Sequence, residues 1–261
     1  MKIRPPQVAG YFYPAEREKL KKVVGEFLEN AKNLNLGKIH ALLCPHAGYT
    51  FCGEVAGWSY KQIENLDYNQ IFILASNHSY AAYAGASVPE FDYYETPLGK
   101  VKVSSITKEL MKNNLFTSIE EAHLTHVVEV QLPFLQLSLK KFEIVPIVLS
   151  MTTEEEQKEL SKIIENYLNE KTLIIISSDL SHYYPYEKAV ELDNSCLKAI
   201  EKQDIEETKN QQACGLEAIL TILHMAKKLK WNSKLLAYKN SGDTSGNKIE
   251  VVGYGSVAFF S

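Results

Sequence analysis

The chain has 261 residues, of which 45% are hydrophobic, 10% aromatic and 23% charged. This composition is typical of a globular protein and excludes collagen-like, intrinsically disordered and disulfide-scaffold chains. The 28 lysines and arginines against 32 aspartates and glutamates give a formal charge of −4, so nucleic acid is not an expected partner.

Membrane and secretion signals are not found in the sequence. The longest apolar runs, such as residues 173–176, are too short to cross a bilayer. Residues 1–6 lack the apolar stretch of a secretory signal. We therefore expect a cytoplasmic protein without membrane contact, whose four cysteines are free thiols rather than disulfides. They are Cys44, Cys52, Cys196 and Cys214.

Hydrophobic periodicity predicts alternating helices and strands in the first half of the chain. Apolar residues at helical spacing predict a helix over 15–31, and another is predicted over 53–63. Short apolar runs predict buried strands over 39–44 and 71–75. β-branched and aromatic residues with turn residues between them predict a hairpin or meander over 85–103.

The second half continues this alternation. Helices are predicted over 106–113 and 125–141, with a bend or restart at Pro133. Thr153 and Glu156 form a capping-box pattern at the start of a predicted helix over 153–168. The remaining predictions are strands over 143–149, 172–178, 233–239 and 250–260 and helices over 186–202 and 214–228.

Strands that are apolar throughout and alternate with helices favour a parallel sheet that is covered on both faces. No repeat of fixed period, low-complexity tract or flexible linker interrupts the pattern. We therefore predict a single α/β domain over residues 1–261, with a central, mainly parallel sheet covered by helices.

Three histidines follow directly after the clearest buried strands. His46 follows the strand over 39–44, His78 follows the strand over 71–75, and His182 follows Asp179 after the strand over 172–178. Ligands of open α/β sheets bind at the carboxyl ends of the strands. If these strands are neighbours, the side chains can bind a divalent transition metal or form an acid–base relay.

Two further groups are candidates for the same site. His126 and Glu129 are three residues apart, so on a helix they share a face and can point together into a pocket; a surface helix pair is the alternative. Cys214 lies at the predicted start of a helix, where the N-terminus lowers a thiol pKa and favours the thiolate. His40, His123 and His224 show no partner pattern and are interpreted as structural.

Several common catalytic motifs are absent. The chain contains no HExxH motif of zinc proteases and no GxSxG nucleophile elbow. The glycine-containing segment 241–246 lacks the lysine and the spacing of a P-loop, so it is interpreted as a tight connection between the last two strands.

The motifs as a set resemble the Memo family, also described as AmmeMemoRadiSam system protein B. The resemblance extends over almost the whole chain, and the motifs occur in the same order. They are residues 4–5, 8–14 (VAGYFYP), 45–49 (PHAGY), 52–53, 77–78, 96–99, 126 with 129–134, 177–182 (SSDLSH), 213–215, 240–243 (NSGD) and 252–254.

The resemblance implies the fold of class III extradiol ring-cleavage dioxygenases, which hold non-haem iron with two histidines and a glutamate. By similarity, His46 and His78 would be the histidine ligands, and Cys214 would occupy the position of the carboxylate. His182 would be an acid–base group or an added ligand, with Asp179 beside it. His126 and Glu129 would line the pocket.

The cysteine is a departure from the dioxygenase pattern. A thiolate is a softer ligand than a carboxylate, and it shifts the preference from iron toward copper(I), zinc or a redox-active site. In microbes the family name associates the protein with a radical-SAM enzyme. In animals the family is associated with copper or iron redox chemistry and with phosphotyrosine peptides.

Three functional hypotheses follow. The first is a metal-dependent redox enzyme, or a protein derived from one, with His46, His78 and Cys214 as ligands. The second is a binding or scaffold module whose pocket holds a peptide or a small anion without turnover. The third is a metal-independent hydrolase or lyase that uses His182 with Asp179.

Overall fold

Strands and helices alternate along the chain in the computed structural model, which describes residues 1–261. The strands are β1 (Ile3–Arg4), β2 (Ile39–Cys44), β3 (Gln70–Ser76), β4 (Gly85–Ser87), β5 (Tyr93–Thr96), β6 (Gly99–Val103), β7 (Phe116–Thr117), β8 (Glu143–Ser150), β9 (Thr172–Ser177), β10 (His182–Tyr184), β11 (Asn232–Asn240) and β12 (Val251–Phe260). The helices are α1 (Arg17–Asn30), α2 (Tyr49–Lys61), α3 (Ile106–Leu110), α4 (Glu120–His123), α5 (His126–Glu129), α6 (Leu132–Ser138), α7 (Glu154–Glu165), α8 (Tyr186–Glu201), α9 (Ile205–Thr208), α10 (Leu216–Leu229) and α11 (Ser241–Ser245).

The twelve strands form one sheet, whose main path runs β1-β5-β6-β8-β3-β9-β2-β12-β10. The central strands β8, β3, β9 and β2 are parallel to one another. Antiparallel pairs lie toward the edges, where β5 forms a hairpin with β6 and β12 pairs with both β2 and β11. The predicted α/β class with a mainly parallel sheet is therefore confirmed, although the sheet is mixed at its edges.

The sheet separates two hydrophobic layers. Alternate residues of β3 point to opposite faces: Ile71, Ile73 and Ala75 join one layer, and Phe72 and Leu74 join the other. Helices α1, α2 and α6 contribute to the first layer, and α7, α8 and α10 contribute to the second. Both faces are thus buried, which explains why the central strands are apolar at nearly every position.

Local signals predicted most of the element boundaries. The capping box is present, since Thr153 Oγ1 accepts from the Glu156 amide at 3.2 Å while Glu156 accepts from the Thr153 amide at 2.7 Å. The predicted helix over 125–141 is divided into α5 and α6, with Pro133 in the first turn of α6, where its missing amide hydrogen is not needed.

Some local predictions need correction. Helix α10 begins at Leu216 rather than at residue 214, so Cys214 precedes the helix. Segment 241–246 contains the short helix α11 with its own capping box between Asn240 and Asp243. Strands β1, β7 and β10 and helices α4 and α9 were not predicted because two to four residues are too few to show a period. None of the helices combines the length and the hydropathy that a membrane crossing requires.

Candidate metal centre

The strand order brings the predicted site residues to one edge of the sheet. Strand β9 lies between β2 and β3, so the segments that follow these three strands are neighbours. His46 and His78 meet there with Cys214, and the ligand atoms of all three residues lie within 4.8 Å of one another. We call these three residues the metal triad.

The distances within the metal triad are compatible with a shared ion after small side-chain adjustments. The separation between His46 Nε2 and Cys214 Sγ is 3.1 Å. Bonds from a transition metal to nitrogen and sulfur are about 2.0–2.3 Å long. His46 is buried, whereas His78 is exposed and Cys214 is half-buried, so the site is open to solvent on the side of His78.

Hydrogen bonds determine which nitrogen of each histidine is free. Nδ1 of His78 lies 3.0 Å from the carbonyl oxygen of Ser76, which only accepts. Nδ1 of His46 lies 3.0 Å from Oγ of Ser177, which already donates to the carbonyl of Val127 at 2.6 Å. Each Nδ1 therefore carries the proton, and each Nε2 keeps its lone pair for a metal ion.

Cys214 is held against the end of β9 by backbone contacts. Its amide donates to the carbonyl of Asp179 at 3.2 Å, and its Sγ accepts from the amide of Asp179 at 3.1 Å. A Cβ at Gly215 would lie 2.5 Å from Cβ of Ser178. Glycine at this position therefore permits the close approach that places the sulfur beside His46.

The expected low pKa of the Cys214 thiol is wrong for the metal-free protein. Burial, followed by the negative charge of Asp179, raises the pKa of this thiol to about 12. Cys214 lies just before Gly215, the N-cap of α10, and the cost of burying a thiolate there outweighs the stabilisation that the helix N-terminus can give. The thiolate thus needs a bound cation to replace its proton, as is usual for metal-ligating cysteines.

His126 extends the site to a group of three imidazoles. The ring centroids of His46, His78 and His126 lie 5.0–5.4 Å apart, and Phe12 packs 4.8 Å from His126. Burial and the neighbouring imidazoles hold the pKa of His46 well below its usual range and lower the pKa of His126 to about 4. At neutral pH both rings are uncharged, which is the form that binds metals.

His182 and Asp179 reach the same edge of the sheet, but they do not form a dyad. Nδ1 of His182 donates to the carbonyl of Leu180 at 2.8 Å, so its Nε2 is also the free nitrogen. Asp179 is buried and accepts from the amide of His46 at 2.7 Å. Burial raises the pKa of Asp179 to about 7. No hydrogen bond joins the side chains of His182 and Asp179. The acid–base pair that the hydrolase hypothesis requires is therefore not formed.

Glu129 lies in different surroundings from His126. Its carboxylate is completely buried in an ion pair with Arg4. It also accepts from Tyr13 OH at 2.5 Å and from the amides of Gln7 and Val8 at 2.8 and 3.1 Å. These contacts tie the N-terminal segment to α5, the helix that begins with His126.

Sequence reasoning missed the residues that support the site. Ser177 and Gln131 form a chain of hydrogen bonds to His46, with Gln131 Nε2 donating to Ser177 Oγ at 2.8 Å. Arg4 pairs with Glu129 across 125 positions of sequence. A local pattern does not show such long-range partners, although Arg4, Gln131 and Ser177 all lie within the motifs that carried the family resemblance.

The remaining histidines lie outside the metal triad. His123 is buried between the side chains of Ser87 and Tyr94, and His40 stacks on Trp231 at 4.5 Å. His224 is half-buried on α10.

Comparisons with known proteins identify relatives over the full chain. A sequence model of the family described as "Memo-like protein" matches residues 4–258. The relatives include a "MEMO1 family protein" of Sulfurisphaera tokodaii, 37% identical over 98% of this chain and 99% of its own. A second from Pyrobaculum arsenaticum is 35% identical over 99% of both chains, and a third from Aquifex aeolicus is 36% identical over 99% of this chain and 100% of its own.

Proposed function

Because the chain belongs to the Memo-like protein family, we propose that it is a metal-binding protein with a redox function. The ion would be held by Nε2 of His46, Nε2 of His78 and Sγ of Cys214. The observation that carries this proposal is the convergence of these three donor atoms within 4.8 Å. The tautomers of His46 and His78 support the proposal, because Nδ1 of each ring is used in a hydrogen bond and Nε2 keeps a lone pair that can bind a metal ion.

The donor set favours a borderline or soft ion. Two imidazoles and a thiolate suit copper, zinc or iron, whereas magnesium and calcium prefer oxygen ligands. Copper or iron bound there would supply electron transfer to or from a small molecule, and any of the three would act as a Lewis acid. We also propose that the fold is related to that of the class III extradiol dioxygenases. We do not propose ring cleavage for this protein, because a thiolate replaces the carboxylate ligand of those enzymes.

Other residues of the chain would bind and orient the reactants. His182 has its Nε2 free and is half-buried at the same edge, so we assign it proton transfer to or from the ligand. Asp179 would hold the loop that carries His46 through its backbone hydrogen bond. His126 would line the pocket, and Glu129 would position the helix of His126 through Arg4 rather than transfer protons.

Metal analysis tests this proposal. The protein, purified without a chelating tag, is expected to contain about one transition-metal ion per chain. His46→Ala and Cys214→Ala should lose the ion while remaining folded by circular dichroism. His224→Ala is the matched control, because His224 lies outside the metal triad, and it should retain the ion. Unchanged metal content in folded His46→Ala and Cys214→Ala would end the proposal.

A non-catalytic binding module is the second candidate function. Tyr80 is fully exposed two residues after His78, and Tyr183 is 71% exposed next to His182, with a left-handed φ of 63°. Exposed aromatic rings beside the site suit an aromatic or phosphorylated ligand. The uncharged imidazoles of His46 and His126 favour the metal instead, because they offer no positive charge to a phosphate.

Peptide binding separates the two candidates. If the chain is a scaffold, a phosphotyrosine peptide should bind the metal-free protein and lose affinity on His182→Ala. The redox proposal predicts that the metal-free protein binds this peptide no more tightly than its unphosphorylated form. Fluorescence anisotropy with both labelled peptides measures the difference.

A further inference from the structure

A cleft away from the metal triad gathers five cationic side chains and no carboxylate. Its volume is about 450 Å³. We call it the basic cleft. Its lining residues include Arg17, Lys21, Lys100, Lys140 and Lys141.

The basic cleft lies at the opposite end of the sheet from the metal triad. Lys140 and Lys141 precede β8, and Lys100 lies near the start of β6, which runs parallel to β8. The metal triad lies beyond the carboxyl ends of the neighbouring strands. Because an eight-residue strand such as β8 is about 26 Å long, a ligand in the basic cleft cannot reach the metal triad.

Most of the positive charges of the basic cleft have no carboxylate partner, the exception being Arg17, which lies 3.9 Å from Glu18. Four of them, the ammonium groups of Lys21, Lys100, Lys140 and Lys141, take part in no ion pair. Glu95 lies opposite Lys100 in the β5–β6 hairpin but forms no ion pair with it, and Glu143, next to Phe142, is already bound to Lys102 at 2.7 Å. In a chain with a formal charge of −4, this cluster is a local region of positive potential.

One wall of the basic cleft is fixed in place. Arg17 Nη1 donates to the carbonyl of Leu98 at 2.6 Å, which joins α1 to the β5–β6 hairpin. Gln136 Nε2 donates to the carbonyl of Gly99 at 3.1 Å and joins α6 to the same hairpin. The lysines therefore project from α1, from β6 and from the connection between α6 and β8, and these hydrogen bonds fix α1 and α6 relative to the hairpin.

The floor of the basic cleft is apolar. Val101 and Leu139 are buried, whereas Leu98, Leu137 and Phe142 are half-buried and line the cleft. Apolar surface beneath a set of charged groups is typical of sites for small organic ligands, whose usual volume is about 300–1,000 Å³. The shape and the charge together indicate an apolar body that carries several negative charges.

We infer that the basic cleft binds a small organic polyphosphate, in which an aromatic or aliphatic body carries at least two phosphate groups. The phosphates pair with the lysines that have no carboxylate partner, and the body covers Leu98, Leu137 and Phe142. A volume of about 450 Å³ lies in the range of small-molecule sites, so we favour a small organic ligand over an acidic segment of another protein.

Calorimetric titration with ATP as the probe tests this inference. ATP should bind, inorganic tripolyphosphate should bind more weakly because it has no organic body, and adenosine should not bind. The double variant Lys100→Gln/Lys141→Gln should bind ATP about tenfold more weakly, because it removes two of the four ammonium groups that have no carboxylate partner. Affinity should also fall as the salt concentration rises.

A charge-matched control distinguishes a site from general attraction. Lys198→Gln/Lys227→Gln removes the same charge from exposed helical positions outside the cleft and should leave ATP binding and metal content unchanged. Three outcomes would overturn the inference: no saturable ATP binding, equal weakening in both double variants, or binding of a poly-glutamate peptide without binding of ATP.

Discussion

Ser177 decides which nitrogen of His46 is available to a metal ion. Its hydroxyl hydrogen is donated to the Val127 carbonyl, and its oxygen accepts from Gln131. Ser177 Oγ can therefore only accept from Nδ1 of His46. An acceptor at Nδ1 fixes the tautomer and the ring orientation, which are the features that outer contacts usually control in metal sites.

Ser177→Ala is therefore expected to weaken metal binding. The ring of His46 loses its fixed tautomer, and we expect the metal affinity to fall about 10–100-fold. The change also leaves buried partners unsatisfied, so the free energy of unfolding should fall by roughly 1–3 kcal/mol. Competition with a chromogenic chelator measures the affinity.

Ser76→Ala is the matched control for this change. The Ser76 hydroxyl makes no hydrogen bond, and His78 is held by the Ser76 carbonyl, which alanine retains. Its metal affinity should equal that of the unchanged protein. Equal affinities in all three proteins would show that Ser177 does not orient His46.

His123 makes stability depend on pH at a position outside the metal triad. Burial lowers its pKa to about 3, below the ordinary value of about 6.5. As the pH falls below 6.5, the unfolded chain takes up a proton that the folded protein does not. Folding stability that comes from neutral His123 is thus present above pH 6.5 and is lost toward pH 3.

His123→Gln tests this dependence. The difference in the free energy of unfolding between the native protein and the variant should shrink by up to about 1.4 kcal/mol per pH unit as the pH falls from about 6.5. Urea denaturation at several pH values measures it. A constant difference over this range would contradict the lowered pKa.

At the scale of elements, glycines set how closely α1 and α2 pack. A Cβ at Gly57 of α2 would lie 2.6 Å from the carbonyl oxygen of Phe27 in α1. Backbone atoms cannot move away cheaply, so this position needs glycine. A Cβ at Gly25 of α1 would meet no atom within 4 Å, so alanine fits there without displacing a neighbour.

The two glycines are therefore expected to respond to alanine in opposite directions. Gly57→Ala should destabilise the protein by about 1–3 kcal/mol through overpacking. Gly25→Ala should stabilise it by about 0.5–1 kcal/mol, because alanine restricts the unfolded chain and favours the helix. Denaturant unfolding of both variants checks the signs, and a loss of stability in both would contradict the packing argument.

At the scale of the whole molecule, the proposed metal site would couple folding to metal binding. His46, His78 and Cys214 are far apart in sequence and meet only in the folded chain, so an ion that bridges them stabilises the native state. The basic cleft lies at the other end of the sheet, and its occupation should not affect this linkage.

Zinc is a suitable probe of the linkage because it has no redox chemistry of its own. Free zinc at 100 times its dissociation constant should stabilise the protein by about 2.7 kcal/mol and raise the Tm. Cys214→Ala should show a much smaller rise, whereas Lys100→Gln/Lys141→Gln should behave like the unchanged protein. An equal rise in Cys214→Ala would mean that zinc binds elsewhere.

Short-range patterns were sufficient to predict most of the secondary structure. The period of apolar residues identified the long helices and the central strands, and Thr153 with Glu156 identified a helix start. These signals act within one or two turns of chain, so they can be read without knowing the fold. The positions of His46, His78 and His182 just after strands were visible in the same way.

Only the tertiary structure decided which of these residues meet. The order β8-β3-β9-β2 places β9, which precedes His182, between β2 and β3, which precede His46 and His78. This order results from packing both faces of the sheet rather than from any local pattern. The high pKa of the Cys214 thiol depends on burial against Asp179. The Arg4–Glu129 pair and the basic cleft likewise join distant segments, because charges interact through space and not along the chain.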